Sequence, residues 1–395
     1  MARRIGIVTS GRSDFGRMLP VIRNIGDTDG LAATVFATGM HHADDYGATM
    51  DEVEVSDFNG RIVKVPGGES DGTQVGAVLA IGSGTNGFAG AFSDHRPDIL
   101  VIMGDRFDML PAVLAAVPMN IPLAHVSGGE VTEGVIDDAI RHAVTKFSHL
   151  HFPAMEIYAE RLIQMGEEPW RIEVVGEPAL DMVETYDVMA KAEFFAGLGL
   201  NAELPTSLFT FHPETLNVGD TETAIKTILD AAHSVDCQIL FTYPNTDPGS
   251  GEIATRIDAF AHNHTNCAVV KSLGQTRFYN ALAHCDCMIG NSSAGIIDAA
   301  SFRLPVLNIG DRQRGRVAPP NVVHVDVDRH AIIDQWNTIL GTEFHASCKD
   351  IANPYGDGRA AIRIANRLKK VTLDRHLLTK KFIDIPARHQ HASEI

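Results

Sequence analysis

The run Ile5–Gly16, IGIVTSGRSDFG, passes from a short β-branched apolar stretch into a glycine-rich polar turn, and a helical segment, Arg17–Ile25, follows. A buried strand that ends in such a turn before a helix is the opening of a βα unit. The free N–H groups at the helix start suit an anion. Outward from this run the same alternation repeats. Ala33–Ala37, Ile62–Val65, Ile99–Met103 and Ile121–Val126 read as further strands, and Ile172–Val175 as the one that closes this half. Helical stretches such as Gly72–Phe92 and Ile136–Ser148 separate them. Repeated βα units of this kind predict a parallel sheet with both faces covered.

The second half restates the pattern. Leu208–Phe211, Gln238–Phe241, Cys267–Val270, Cys287–Ile289 and Val306–Ile309 read as strands; Thr221–Ser234, Glu252–His262, Arg277–Ala283 and Ala294–Phe302 read as helices. The chain has 395 residues, of which 45% are hydrophobic, enough for two cores. The expected organisation is a Rossmann-like domain over residues 1–180, a second over 200–352, and a helix and tail over 353–395. The linker is expected within the polar helical stretch Asp181–Pro205, and the tail helix near Arg359–Leu368. In open parallel sheets ligands bind beyond the carboxyl ends of the strands, so two such α/β domains facing each other predict a central cleft lined by post-strand turns.

Composition excludes several classes. A net charge of −17 argues against a nucleic-acid partner. An anionic ligand then needs local Arg and backbone N–H groups that outweigh the global field. No apolar run approaches the roughly 20 residues of a membrane helix, so no membrane partner is expected. The five cysteines (Cys237, Cys267, Cys285, Cys287, Cys348) are odd in number and lack zinc spacing, which predicts buried structural thiols and a reducing, cytoplasmic location. The histidines show no HExxH or paired spacing, so neither a metal nor another cofactor is expected.

Six post-strand turns carry candidate chemistry. The first holds Arg12 beside a glycine-rich helix start that ends at Gly16. The second is Gly104-Asp105-Arg106-Phe107-Asp108, an acid and an arginine side by side at a strand end. In the third, Glu130 follows Gly128-Gly129, and Asp137-Asp138 lies seven residues on, with Arg141 and His142 one helical turn later. Carboxylates gathered at one cleft can have their pKa values pushed apart, so that one serves as acid and another as base. In the fourth, His212 stands beside Pro213, placed to donate to an anion. The fifth, Gly290-Asn291-Ser292-Ser293-Ala294-Gly295, offers two hydroxyls where an N-cap needs one, with Asp298 close behind. The sixth, Gly310–Arg316, places Arg312, Arg314 and Arg316 in five residues. Each also has a plain reading as a cap, a solvated loop or an ordinary ion pair.

Taken together, GRSDFG, GDRFD, GGEVTEGVIDDAIRH, HPET, YPNTD, IGNSSAG and GDRQRGR resemble, in order and spacing, the hydrolysing UDP-N-acetylglucosamine 2-epimerases of the sialic and legionaminic acid branch. The resemblance covers about Ile5 to Arg367. It implies a GT-B-like pair of domains, no cofactor, a nucleotide-sugar substrate and a homo-oligomer, dimer or tetramer. Carried over by motif, it implies nucleotide contacts from Arg12, Gly16, Arg106, His212, Asn245, Ser292, Ser293, Asp298 and Arg312, with Asp298 standing where family members often carry Glu. Asp105, Glu130 and Asp137 match the catalytic carboxylates, and His212 is counted with them at the reacting end. Non-hydrolysing relatives usually show a Glu-Ala-Gly-Leu-Arg-Thr-like run; here Glu130-Val131-Thr132-Glu133 departs from it, which favours the hydrolysing branch. The implied substrate is UDP-N-acetylglucosamine, giving N-acetylmannosamine and UDP, with UDP-N,N′-diacetylbacillosamine or a GDP-linked sugar as the alternative. A non-hydrolysing epimerase, a GT-B glycosyltransferase and a non-catalytic sugar-nucleotide sensor are the rival readings.

Overall fold

The structure, a computed structural model, describes residues 2–42, 49–133, 135–214, 221–245, 247 and 249–384. Two parallel six-stranded sheets carry the chain. The first contains β1 (Arg3–Thr9), β2 (Leu31–Ala37), β3 (Gly60–Lys64), β4 (Ile99–Met103), β5 (Leu123–Val126) and β6 (Leu150–Phe152), in the order β3-β2-β1-β4-β5-β6. The second contains β7 (Thr206–Thr210), β8 (Gln238–Thr242), β9 (Cys267–Val270), β10 (Cys287–Gly290), β11 (Val306–Ile309) and β12 (Val322–Val325), in the order β12-β11-β10-β7-β8-β9. Both are the same doubly wound order, with the switch between β1 and β4 in one and between β7 and β10 in the other. The central strands are buried along their whole length, as in β4, β7 and β8. Each fully buried Val, Leu or Ile there contributes about 1.5–3 kcal/mol before the entropy of ordering is set against it.

Two edge strands lie where no strand was expected, and one expected strand does not join its sheet. Ile172–Val175 runs beside β6 without forming a strand of the sheet: it makes one bridge, between Ile172 and His151, and the Val175 N–H donates to the Pro153 carbonyl at 3.1 Å, just after a 3-10 turn at Pro169–Arg171. The last strand of the first sheet is β6, whose His151 interrupts the apolar run. That histidine tolerates full burial because its Nε2 meets Glu167 Oε2 at 2.9 Å. At the other end of the chain, β12 is a half-buried edge strand that also contains a histidine, His324.

Three helical regions also bear on the expectations. The helix Gln74–Asp94 has 21 residues, and an 18-residue window of it has a mean hydropathy of 1.2, so by length and composition alone it is long and apolar enough to cross a membrane, contrary to the expectation from sequence. Its Ala80, Phe88 and Phe92 face is buried, and the ring of Phe92 stands 5.2 Å from that of Phe36 on β2, as in a helix that covers a sheet. The helix Lys191–Ala196, within the stretch where a linker was expected, packs Phe194 and Phe195 into the core around the second sheet. The tail helix Ala360–Lys370 returns to the first domain, where Ile364 and Leu368 join the core that holds Val21 and Ile25. Its last turn carries Arg367, Lys369 and Lys370, the charge that a helix C-terminus favours.

Candidate active site

The carboxyl ends of both sheets face a cleft of about 550 Å³. Asp105, Glu130, Asp137, His212, Gly16, Arg106, Asn245, Ser292, Ser293, Asp298 and Arg312 all line it. The side chain of Arg12 lies outside the described residues; its backbone opens the helix Arg12–Asp27. That helix begins earlier than Arg17, so Gly16 sits within it, and an added Cβ there would lie 2.4 Å from Gln275 Oε1 of the second domain.

The cradle after β10 depends on one glycine. Gly290 holds φ +129, and an added Cβ would lie 2.0 Å from the Thr210 carbonyl on β7. Both obstacles are backbone, so neither can rotate away. Gly290→Ala is therefore expected to destabilise the second domain by roughly 2 kcal/mol or more in urea unfolding. The helix that follows, Ser293–Ile297, has only five residues, so its dipole is small. Anion binding at this cradle falls mainly to the Ser292 and Ser293 hydroxyls and to nearby arginines.

His212 is held as a neutral donor. Its Nδ1 accepts from the Asn245 backbone N–H at 3.2 Å, so the ring proton belongs on Nε2. Burial, with Arg312 adding to it, pushes its pKa down to about 3. Its own backbone N–H donates to Asn291 Oδ1 at 2.7 Å, which ties the turn after β7 to the turn after β10.

Among the arginines that line the cleft, Arg17 is the one the sequence did not single out. Arg106 pairs with Asp108 at 3.2 Å and, across the cleft, with Asp247 at 2.9 Å, yet its Nη2 is buried without a protein partner. Arg17 bonds Glu177 at 2.9 Å and Asp298 at 3.3 Å. Asp298 therefore already has a cationic partner in the first domain, and the nucleotide contact that the resemblance implies for it would share that carboxylate. Arg316 pairs with Glu130 at 2.9 Å, while its Nε and Nη1 have no hydrogen-bond partner. Buried charged donors without acceptors are costly unless an anion meets them. Arg314, the third arginine of its run, faces outward to Asp311.

The three expected carboxylates occupy different electrostatic settings. Asp105 is ion-paired with Arg141, a side chain 1% exposed that also donates to Thr132 Oγ1 and to the Glu130 carbonyl. In the ion pairs, Arg141 meets Asp138 and Asp105, not the Asp137 that sequence spacing suggested. Glu130 has its pKa raised by burial, against the opposing pull of Arg316. Asp137 is pushed up to about 6 by burial and the nearby charge of Asp247. Asp14, which the sequence reading did not select, is pushed up to about 7 by burial and Asp108. A carboxyl whose folded pKa exceeds its unfolded value stabilises most at low pH and loses that contribution as pH rises through the folded pKa. Asp14→Asn should therefore shrink the difference in Tm between pH 5.5 and pH 8, measured by calorimetry without ligand. Among the described residues, no group of three His, Cys, Asp or Glu side chains is arranged to hold a metal ion.

Two doubly wound domains closing on a cleft of arginines, serines and acids define a GT-B-like enzyme of the nucleotide-sugar kind. The model of the UDP-N-acetylglucosamine 2-epimerase family matches residues 23–369, and the chain belongs to that family. It is 34% identical to the UDP-N,N′-diacetylbacillosamine 2-epimerase (hydrolysing) of Legionella pneumophila, over 96% of this chain and 99% of that one. It is 33% identical to the GDP/UDP-N,N′-diacetylbacillosamine 2-epimerase (hydrolysing) of Campylobacter jejuni, over 97% and 99%. Its fold is similar to the crystal structure of UDP-GlcNAc 2-epimerase from Neisseria meningitidis bound to UDP-GlcNAc, with a TM-score of 0.78 at 19% identity, covering 93% of this chain and 100% of that one.

Proposed function

We propose that this protein is a hydrolysing 2-epimerase that acts on a UDP-linked 2-acetamido sugar and releases UDP and the free 2-epimer. The observation that carries the reading is the division of the cleft. The second domain supplies neutral or cationic donors, His212, Arg312 and the Ser292–Ser293 hydroxyls, and Arg106 reaches toward them from the first. The first domain also supplies Asp105, Glu130 and Asp137. A glycosyltransferase needs the first set but has no use for three acids.

The chemistry follows from what the C2 proton resists. It is very weakly acidic, so the C1–O bond must break as the proton leaves. The bonding pair goes to the diphosphate oxygen, the C2 proton goes to a carboxylate, and a 2-acetamidoglycal remains. Water then adds its oxygen to C1 and loses a proton to a carboxylate, while a carboxylic acid returns a proton to C2 from the opposite face. Donors aimed at the diphosphate stabilise the charge that develops there. Asp137 and Glu130 are the proton-transfer groups in this reading, and Asp105, ion-paired with Arg141, is a charged group fixed beside them. Closure of the two domains would exclude stray water. With Asp137 as base, activity requires its ionised form. Since its pKa is raised to about 6, kcat/KM should fall as pH drops through about 6. His212 titrates near 3 and does not contribute to that limb.

The family model and the sequence motifs support UDP-N-acetylglucosamine as the sugar, with N-acetylmannosamine as product and a role in sialic-acid-type synthesis. A second reading, UDP-N,N′-diacetylbacillosamine, is favoured by the two relatives above, which match along nearly their whole length. Release of UDP from each sugar, compared as kcat/KM, decides between them. Failure to release UDP or GDP from either sugar in either nucleotide form would overturn the reaction itself. A homo-oligomer and a cytoplasmic setting belong to the same proposal, the latter supported by five cysteines that are all free thiols.

A further inference from the structure

Two tyrosines behind the cleft join the elements that deliver Glu130 and Arg316. Tyr158 lies on the helix Glu156–Gln164 of the first domain, and Tyr355 on the segment that returns from the second. Both are fully buried, and neither lines the cleft. The Tyr355 hydroxyl donates to the Val317 carbonyl at 2.9 Å. A hydroxyl carries one proton, so across the 3.0 Å contact between the two hydroxyls Tyr158 must be the donor. The Tyr158 oxygen then accepts from the Val317 N–H at 3.4 Å. The pair therefore grips both peptide groups of the residue that follows Arg316.

Tyr158 also abuts the other partner. An added Cβ at Gly129, the residue before Glu130, would lie 2.4 Å from the Tyr158 carbonyl, and Gly129 holds φ +82. Beside it the two loops clasp directly: the Glu133 N–H donates to the Arg314 carbonyl at 3.1 Å, and an added Cβ at Gly315 would meet Val131 at 2.5 Å. One side chain and its hydroxyl neighbour thus set the relative position of a carboxylate from one domain and a guanidinium from the other.

We propose that Tyr158 and Tyr355 are positioning residues whose paired hydroxyls hold Arg316 against Glu130 across the domain boundary. The proposal rests on the reading of Glu130 as a catalytic carboxylate. It is specific about sign. Arg316 pulls the Glu130 pKa down against burial, so loosening Arg316 lets it rise further. A displaced Arg316 also misplaces the acid-base pair, which costs turnover more than ground-state binding.

The test uses Tyr158→Phe, Tyr355→Phe and the double variant, all of which keep the ring packing. Glutamate carboxyls are labelled with 13C, and Glu130 is assigned by its loss in Glu130→Gln. The expected result is a Glu130 titration midpoint raised by about half a pH unit or more in the variants. With substrate, kcat should fall roughly ten-fold, with KM changed by less than about three-fold. An unmoved Glu130 midpoint in a folded variant overturns the proposal, whatever happens to Tm, because a merely structural tyrosine lowers Tm without moving that midpoint. Each single variant is read by itself, so misfolding of the double variant leaves the test intact. The titration needs no turnover. If the wild-type protein releases no UDP from any sugar, the reaction assigned above fails, while the midpoint still decides the positioning.

Discussion

Replacing Glu130 with Gln is expected to lower kcat by about 10²–10⁴-fold while leaving UDP affinity nearly unchanged. Glutamine keeps the volume and one acceptor oxygen but cannot take or give the proton. Glu130 is 1% exposed, and its Oε1 is buried with no protein partner, so it is the oxygen free to act on substrate or water. Its Oε2 is held by Arg316 at 2.9 Å. Nothing in this arrangement touches the serine cradle, so UDP measured by calorimetry should bind as before. A sensor without catalysis would show the opposite: UDP stabilises the protein, and the substitution changes nothing. Retention of more than about a tenth of wild-type kcat would remove Glu130 from the chemistry.

Arg141→Met is expected to be the most destabilising single change near the site, by about 3–5 kcal/mol. The guanidinium is 1% exposed and serves Asp105, Asp138, Thr132 and the Glu130 carbonyl together. Methionine fills part of the volume but leaves Asp105 without its cation in a largely enclosed position. Deleting one member of a buried pair strands the other, which is why the loss exceeds that of an exposed ion pair. Urea unfolding of the first domain reads the effect directly. A loss below about 1 kcal/mol would mean that Asp105 and the turn after β5 are held by other contacts. The paired variant Asp105→Asn with Arg141→Met should recover part of the stability and none of the activity.

Much of the architecture was legible because it rests on local signals. Strands such as β4 and β8 are unbroken apolar runs, and a doubly wound sheet puts the turns after them at one cleft. Selecting post-strand turns therefore picked out Glu130, His212 and Ser292 as cleft-lining residues without any contact information. The strands that escaped, β6 and β12, are sheet-edge strands of three and four residues, each with a histidine in its short apolar run. Burial of His151 depends on Glu167, which lies sixteen residues away and is unremarkable in sequence. The charge partners were harder still. Arg17 and Glu177 are separated by 160 residues, and Arg106 and Asp247 by 141. Arg17, Glu177 and Asp247 each read alone as an ordinary surface charge, and Arg106, though selected, does not disclose its partner. Only the fold shows that they neutralise one another inside a cleft of a chain with net charge −17.

The central claim is that the C1–O bond and the C2–H bond both break, with nucleotide release. Its most direct test is to incubate the protein in D2O with UDP-N-acetylglucosamine and, in parallel, with UDP-N,N′-diacetylbacillosamine, and to follow the proton spectrum. The expected result is free UDP together with the 2-epimer carrying deuterium at C2, from at least one of the two sugars. Epimer still attached to UDP, or free sugar that keeps its C2 proton and configuration, would contradict it.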